Sequence, residues 1–198
     1  MKLIINGQNA DVTLEDEKTA GQVLKAFEEE AVKNNAATIG IKINGKRILA
    51  DDFDQACQIE LAEDTLIELE VISESEIRNS FISCVSLFEK LTEDLSNVSI
   101  YLQGGKDKEA HAIIANLADA VDSFCRTATF SALFPETYTA IKVDGQDMGE
   151  FFKEFTPLLA DFKEALENND TVTTGDIAEY EISPRLRKLS QSVKNMLQ

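Results

Sequence analysis

Two Asn-Gly pairs, each set between short apolar strands, constrain the first third of this chain more than any other feature. Asn adopts positive φ more readily than most residues, and Gly does so at no steric cost. Each pair therefore suits a type I′ turn, whose twist matches that of the two strands it joins. Asn6-Gly7 predicts one β-hairpin and Asn44-Gly45 predicts a second. The four predicted strands are residues 1–5, 10–14, 39–43 and 47–49.

A helix is predicted between the two hairpins. Thr19-Ala-Gly-Gln22 has the spacing of a capping box, in which two side chains satisfy backbone N–H groups at the helix start. The apolar residues that follow form one helical face: Val23, Leu24, Phe27, Ala31 and Val32. After an irregular stretch, residues 50–63, the alternation over Thr65–Ile72 predicts a last strand.

The order of these elements resembles that of a ubiquitin-like β-grasp domain. Residues 41–48, 51–54 and 65–71 follow the second half of that family in element order and spacing. The first seven residues also resemble the start of small sulfur carriers with the same superfold. The resemblance implies an α+β chain in which residues 1–72 form a β-grasp domain.

The end of this domain departs from the family in a way that bears on function. Ubiquitin-like modifiers and sulfur carriers end in a free Gly-Gly whose carboxylate is activated. Here the last strand runs into Ser73-Glu-Ser-Glu76, a second capping box, while Gly104-Gly105 is internal and suits a helix end. The resemblance therefore implies a docking module. A carrier-derived protein, or an enzyme with an unrecognised site, remains an alternative.

Residues 73–198 are predicted to form an antiparallel bundle of about four helices. Apolar residues repeat with alternating spacings of four and three, and a similar stripe follows Gly104-Gly105. The first stripe is Ile77, Phe81, Cys84, Phe88, Leu91, Leu95, Val98 and Leu102, and the second is Ala110, Ile114, Leu117, Val121, Phe124 and Ala128. The short connection favours a helical hairpin, and a coiled-coil homodimer built on the first stripe is the structural alternative.

The last third is predicted as an irregular loop followed by two further helical segments. The loop covers residues 130–147, and the third helix begins near Asp147 and is interrupted by Pro157, which removes a backbone donor. In the last segment, Ser183-Pro184 either kinks one helix or divides two. The predicted apolar residues of that segment are Ile177, Tyr180, Ile182, Leu186, Leu189, Val193 and Leu197.

Composition restricts the classes of partner and cofactor. The formal net charge is −17, and residues 1–73 already carry 7 Lys/Arg against 15 Asp/Glu. This charge disfavours a nucleic-acid partner, and the absence of a long apolar run disfavours membrane insertion, so a cytoplasmic location is expected. Three widely spaced cysteines and one histidine offer no recognisable metal set. No phosphate-binding or nucleophile motif is present, so no catalytic, cofactor or metal residue is assigned.

Three polar features are interpreted as structural. Asp51, Asp52 and Asp54 are expected to be solvated carboxylates in a surface loop. The sequence Asn168-Asn-Asp170 is not followed by glycine at the sixth position counted from Asn168, which a calcium loop requires, and is expected to connect two helices. His111 is expected to lie on an exposed helix surface.

Phe130, Phe134 and Tyr138 form the predicted partner-binding site. They surround Pro135 in a segment without clean periodicity. Aromatic residues in such a connection either plug one end of a bundle or form an exposed apolar patch that receives a partner helix.

The expected function is that of a non-catalytic adaptor or scaffold in a bacterial-type cytoplasm, with protein partners and no cofactor. The acidic helical hairpin and its connecting loop also resemble the flagellar and secretion-type export chaperones. That resemblance implies the alternative, in which a groove holds a partner's amphipathic helix.

Overall fold

The computed structural model describes residues 1–11 and 16–197, which divide into two compact units. The sheet unit is Met1–Glu76 and the helical unit is Ile77–Gln198, whereas the sequence placed the boundary after residue 72. A mixed β-sheet in the first unit is followed by helices in the second. The predicted α+β class is therefore confirmed.

The sheet unit contains a mixed sheet whose described strands run in the order β2-β1-β5-β3-β4. The strands are β1 (Lys2–Ile5), β2 (Gln8–Ala10), β3 (Ala36–Ile43), β4 (Lys46–Arg47) and β5 (Leu66–Ser73). β1 pairs in parallel with β5, and the other pairings are antiparallel. Of the second predicted strand, residues 12–14 lie outside the described residues.

Both Asn-Gly turns have the predicted conformation. Asn6 and Gly7 have φ of 49° and 80°, and Asn44 and Gly45 have φ of 49° and 79°, so the type I′ expectation is confirmed. The two asparagine side chains also extend the backbone ladder of β5. The Asn6 amide nitrogen donates to Val71 O at 2.9 Å, and the Val71 N–H donates to Asn6 Oδ1 at 2.8 Å. The Leu66 N–H donates to Asn44 Oδ1 in the same way, at 2.9 Å.

The described part of the sheet unit also contains the helices α1 (Ala20–Lys33) and α2 (Phe53–Cys57). The predicted capping box of Thr19 and Gln22 is present at the start of α1. The apolar face of α1, except Val32, which is 64% exposed, packs on the sheet and forms the core with Leu3, Ile43, Ala56, Ile67 and Leu69. Gly21 allows α1 to approach α2 closely, since a Cβ atom there would lie 2.7 Å from Cys57 Cβ.

The described helices that follow are α3 (Glu74–Asp94), α4 (Val98–Gln103), α5 (Asp107–Ser131), α6 (Pro135–Ala140), α7 (Met148–Glu167), α8 (Thr171–Asp176) and α9 (Ser183–Leu197). A 3₁₀ turn, Leu95–Asn97, continues α3 into α4, and a π-helical segment, Ile177–Ile182, continues α8 into α9. Gly105, with φ of 70°, lies between α4 and α5, at the predicted helix end.

The core of the helical unit follows the first predicted heptad stripe. Its members are buried from Ile77 to Val98, and Leu102 is half-buried. The Phe124 ring of α5 lies 5.6 Å from that of Phe81 and 5.4 Å from that of Phe88, between ring centroids. α9 runs antiparallel to α3, because Met196 contacts Arg78 near the start of α3 while the Ser183 hydroxyl donates to Thr92 O near its end.

Several details of the second half go beyond the sequence expectations or differ from them. The segment 130–147, expected as an irregular loop, contains the helix α6. It also contains a tight turn in which Val143 pairs with Gln146. Pro157 lies inside α7 without ending it. Of the two alternatives for the last segment, the structure has the continuous one: residues 171–197 are helical through Pro184. Tyr180 was expected on the apolar face, but it is 65% exposed.

The π-helical segment accounts for this continuity. Pro184 has no N–H to bond the carbonyl four residues earlier, and its ring would clash with that carbonyl. The wider turn before it removes the conflict and shifts the phase of the helix. Within this segment Ala178 and Ile182 are buried, while Tyr180 faces solvent.

Candidate functional site

A groove of about 670 Å³ lies between α1 and β3 in the sheet unit. We call it the α1–β3 groove. Gly21, Leu24, Lys25 and Glu28 line it from α1, and Thr38–Ile41 line it from β3. The remaining lining residues, Ile48, Ala50, Phe53 and Cys57, come from the chain after β4. Most of its wall is therefore apolar.

One wall of the α1–β3 groove is an incompletely paired strand. β4 pairs only with Lys42 and Ile43, and the Ile48 N–H adds one hydrogen bond to Ile41 O at 2.9 Å. Within residues 1–11 and 16–197, no strand pairs with residues 36–40 on that side of β3. An open strand edge is a template for pairing with another chain.

A β-bulge lies in the same stretch. Thr38 is opposite Val71 and Gly40 is opposite Glu70, which leaves Ile39 as an extra residue in β3. Bulges re-aim side chains and are common at sheet edges and next to functional sites. Ile39 is half-buried and contributes to the groove wall.

Two apolar side chains that line the groove or are next in sequence to lining residues are exposed. Phe53, which lines it, is 40% exposed, and the neighbouring Leu49 is 62% exposed. The polar groups on the opposite wall are Lys25 and Glu28, and the Thr38 hydroxyl donates to the Glu28 carboxylate at 2.9 Å. An apolar surface rimmed by a few polar groups is typical of a binding site.

Cys57 is the one thiol in the groove lining, and it is poorly suited to nucleophilic chemistry. Burial raises the pKa of its thiol, and the neighbouring Asp54 carboxylate raises it further. The thiol therefore stays protonated at neutral pH, whereas the thiolate is the nucleophile. No group of three or more His, Cys, Asp or Glu side chains in the described part of the chain could hold a metal ion. The arrangement is suited to binding.

The predicted partner-binding residues lie in the helical unit. Phe130 is near the end of α5, Phe134 precedes α6 and Tyr138 lies within α6, with the Tyr138 N–H donating to Phe134 O at 3.0 Å. All three are half-buried, and Leu133 beside them is 47% exposed. The close ring pairs of the described residues involve other aromatics: Phe81, Phe88, Phe124, Phe151, Phe152 and Phe155.

The other polar candidates have structural roles. Asp170 caps α8, where its carboxylate accepts from the Thr173 N–H at 3.0 Å and from the Thr173 hydroxyl at 2.7 Å. These hydrogen bonds lower the pKa of Asp170. Asp52 pairs with Lys46 on the surface, at 3.3 Å. His111 is exposed on α5, with its Nδ1 2.6 Å from Asp107 O.

Comparison with known proteins places the helical unit in a family. Residues 79–192 match the family model described as "Domain of unknown function (DUF8042)". The chain belongs to this family. Residues 1–73 match a second model, described as "TP0873 N-terminal domain". The DUF8042 match therefore falls within the helical unit, and the second match falls within the sheet unit.

A relative from Treponema pallidum (strain Nichols), described as "Uncharacterized protein", is 27% identical over 196 residues. The alignment covers 99% of this chain and 98% of the relative. The similarity thus extends across both units of this DUF8042 protein. No solved structure matches the chain.

The α1–β3 groove escaped sequence reasoning, although two signals pointed to it. Leu49 precedes the stretch 50–63 and Phe53 lies within it, and the sequence predicts this stretch only as irregular. In the hairpin predicted at Asn44-Gly45, the second strand, 47–49, is shorter than its partner, 39–43, which implies an incompletely paired edge.

No helix among the described residues combines the length and apolarity that a membrane span requires.

Proposed function

We propose that this chain is a non-catalytic protein-interaction protein of the adaptor or scaffold type, acting in a bacterial-type cytoplasm. We further propose that its sheet unit is a ubiquitin-like β-grasp domain used for docking. The strand order β2-β1-β5-β3-β4, the parallel pair β1–β5 and the helix packed on the sheet support this interpretation. Fold alone does not imply function, so the proposal depends on the groove.

The α1–β3 groove is the observation that carries the proposal. It combines an apolar wall, a partly exposed Phe53 and an open strand edge. Aromatic side chains in such positions commonly supply much of the binding energy of a protein interface. The Cys57 thiol is held protonated, which favours binding over chemistry at this place.

Co-purification with a matched set of full-length variants tests this function. Phe53→Asp places a charge in the groove, and Ile100→Asp places one at a 65% exposed position of the helical unit. We expect the protein partners of the wild type to be lost with Phe53→Asp and retained with Ile100→Asp. Equal recovery with both variants would show that the groove does not bind the partner.

A second candidate function is the capture of a partner's amphipathic helix, as in an export chaperone. The exposed Leu133 among the half-buried Phe130, Phe134 and Tyr138 favours it. Here Phe134→Asp should abolish capture while Phe53→Asp leaves it intact. Phe53→Asp and Phe134→Asp together therefore separate the two functions, and light scattering on each variant reports whether a homodimer is involved.

A further inference from the structure

The backbone groups of β3 that face the α1–β3 groove can be assigned from the hydrogen-bond ladder. Neighbouring residues of a strand point their N–H and C=O groups to alternate sides. Asn35 O accepts from the Glu74 N–H at 2.8 Å, next to β5, so the groups of Ala36 point to the opposite side and those of Ala37 to β5. The groups of Thr38 then point to the open edge.

Because of the bulge at Ile39, the backbone groups of β3 before and after the bulge point to the same open side of the strand. Ile41 O accepts from the Ile48 N–H on the open side, although Ile41 lies an odd number of residues from Thr38. Without the extra residue, Thr38 and Ile41 would point to opposite sides. With it, Ala36, Thr38 and Ile41 all present backbone groups along the same edge, beside the apolar wall.

We propose that the α1–β3 groove binds an extended segment of a partner protein, which adds to the sheet as a strand beside β3. This inference rests on the proposed docking function and names its ligand. Backbone hydrogen bonds from the added strand would provide affinity, and alternate side chains would provide specificity. Every second side chain of the segment would face Leu24 and Phe53 and is therefore apolar.

The acidic charge of the sheet unit indicates which residues should flank the apolar part of the bound segment. The sheet unit carries 15 acidic and 7 basic residues within residues 1–73, and Glu28 and Asp54 lie at or beside the groove. Lys25 is the basic residue of its lining. A segment flanked by lysine or arginine complements this surface. A second copy of the chain, with a net charge of −17, would repel it.

The test uses a fluorescent synthetic peptide in which valine and threonine alternate between flanking lysines, with the full-length protein as receptor. Fluorescence anisotropy gives the affinity, and amide hydrogen exchange followed by NMR reports on Thr38. We expect binding with slowed exchange at the Thr38 amide. A control peptide that is N-methylated on alternate residues keeps the side chains but lacks backbone donors. It should bind roughly tenfold more weakly, as the loss of one or two hydrogen bonds predicts.

A further peptide tests the charge preference, and two variants of Thr38 test the role of its backbone donor. A peptide with glutamate flanks should bind more weakly than the lysine-flanked one, and the difference should shrink at high salt. Thr38→Pro removes the edge donor, and Thr38→Val keeps that donor while removing the hydroxyl, so only the proline variant should lose affinity. If Thr38→Pro does not fold, the N-methylated peptide makes the same comparison on the wild type.

The outcomes separate this inference from the docking function. Equal binding of the N-methylated peptide, abolished by Phe53→Asp, would overturn strand addition and leave apolar docking intact. A failure of the lysine-flanked peptide to bind would overturn the inference, whereas the docking function is judged by its own co-purification. Protection of Thr38 that rises with protein concentration in the absence of peptide would identify a second copy as the occupant and would also overturn it.

Discussion

Gly175 is expected to be indispensable to the contact between α8 and α4, and Gly175→Ala tests the packing of the helical unit. A Cβ atom at this position would lie 2.5 Å from Ser99 Cβ, 2.8 Å from Ser99 Oγ and 3.0 Å from Ser99 Cα. Because backbone is among these atoms, rotation of the serine side chain cannot relieve the clash, and the two helices have to separate.

The sign of the effect distinguishes packing from helix propensity. In an exposed helix, replacing Gly with Ala stabilises by about 1 kcal/mol. At a filled contact, an added methyl group costs about 1–3 kcal/mol. Gly175 is buried and an added Cβ would lie only 2.5 Å from Ser99 Cβ, so the upper part of this range, about 2–3 kcal/mol, applies. The packing cost should therefore dominate and leave a net loss of about 1–2 kcal/mol.

Urea unfolding followed by circular dichroism measures this loss as a lower midpoint with an unchanged slope. The matched control is the double variant Ser99→Gly with Gly175→Ala, which moves the side-chain volume from one helix to the other. We expect it to recover part of the loss, so that the two substitutions are not additive. An unchanged or higher midpoint for Gly175→Ala alone would refute the close helix contact.

Three further predictions concern the sheet unit. Asn6→Gly keeps the positive φ but removes two hydrogen bonds to Val71; because these are exposed, we expect a loss of about 1 kcal/mol in urea unfolding, and no loss would show that the turn alone matters. Hydrogen bonds from the Ser73 side chain and backbone lower the pKa of Glu76 in the folded protein below its ordinary value of 4.5. The ionised Glu76 therefore stabilises the fold above pH 4.5, and this stabilisation is lost as the pH falls through the lowered pKa of the folded state. The stability difference between wild type and Glu76→Gln should therefore shrink in acid, and a difference independent of pH would contradict this. Alkylation of Cys57, followed by peptide mass spectrometry, should reach half its maximal rate above pH 9.0, because burial raises the thiol pKa; a midpoint below that of a free cysteine would indicate an activated thiol.

Local patterns predicted the secondary structure because their causes are local. The alternating spacings of the first heptad stripe place Ile77, Phe81 and Phe88 on one face of a helix whatever that helix packs against, and all three are buried. The same holds for the Asn-Gly turns, whose positive φ values depend on the residues themselves. These features account for the predicted α+β class.

The candidate site could not be read in the same way, because it depends on residues that are distant in sequence. The groove requires α1, β3 and the chain around Phe53 to come together, and its open edge exists only because β4 stops after Arg47. Sequence reasoning instead selected Phe130, Phe134 and Tyr138, since an aromatic cluster in an irregular segment is visible without a fold. Whether such a cluster is covered depends on its neighbours.

The sequence by itself determined the long helices and most of the strands, although not the short helices α2 and α6. It also determined the capping boxes at Thr19 and Ser73, the turns at Asn6 and Asn44, and the strongly acidic charge. Short-range backbone preferences and hydrophobic periodicity were sufficient for these. Only the tertiary structure decided that the Asn6 side chain bonds Val71 and that α8 continues into α9. It also decided that the edge of β3 beside α1 is open, because strand pairing and helix packing join residues far apart in the chain.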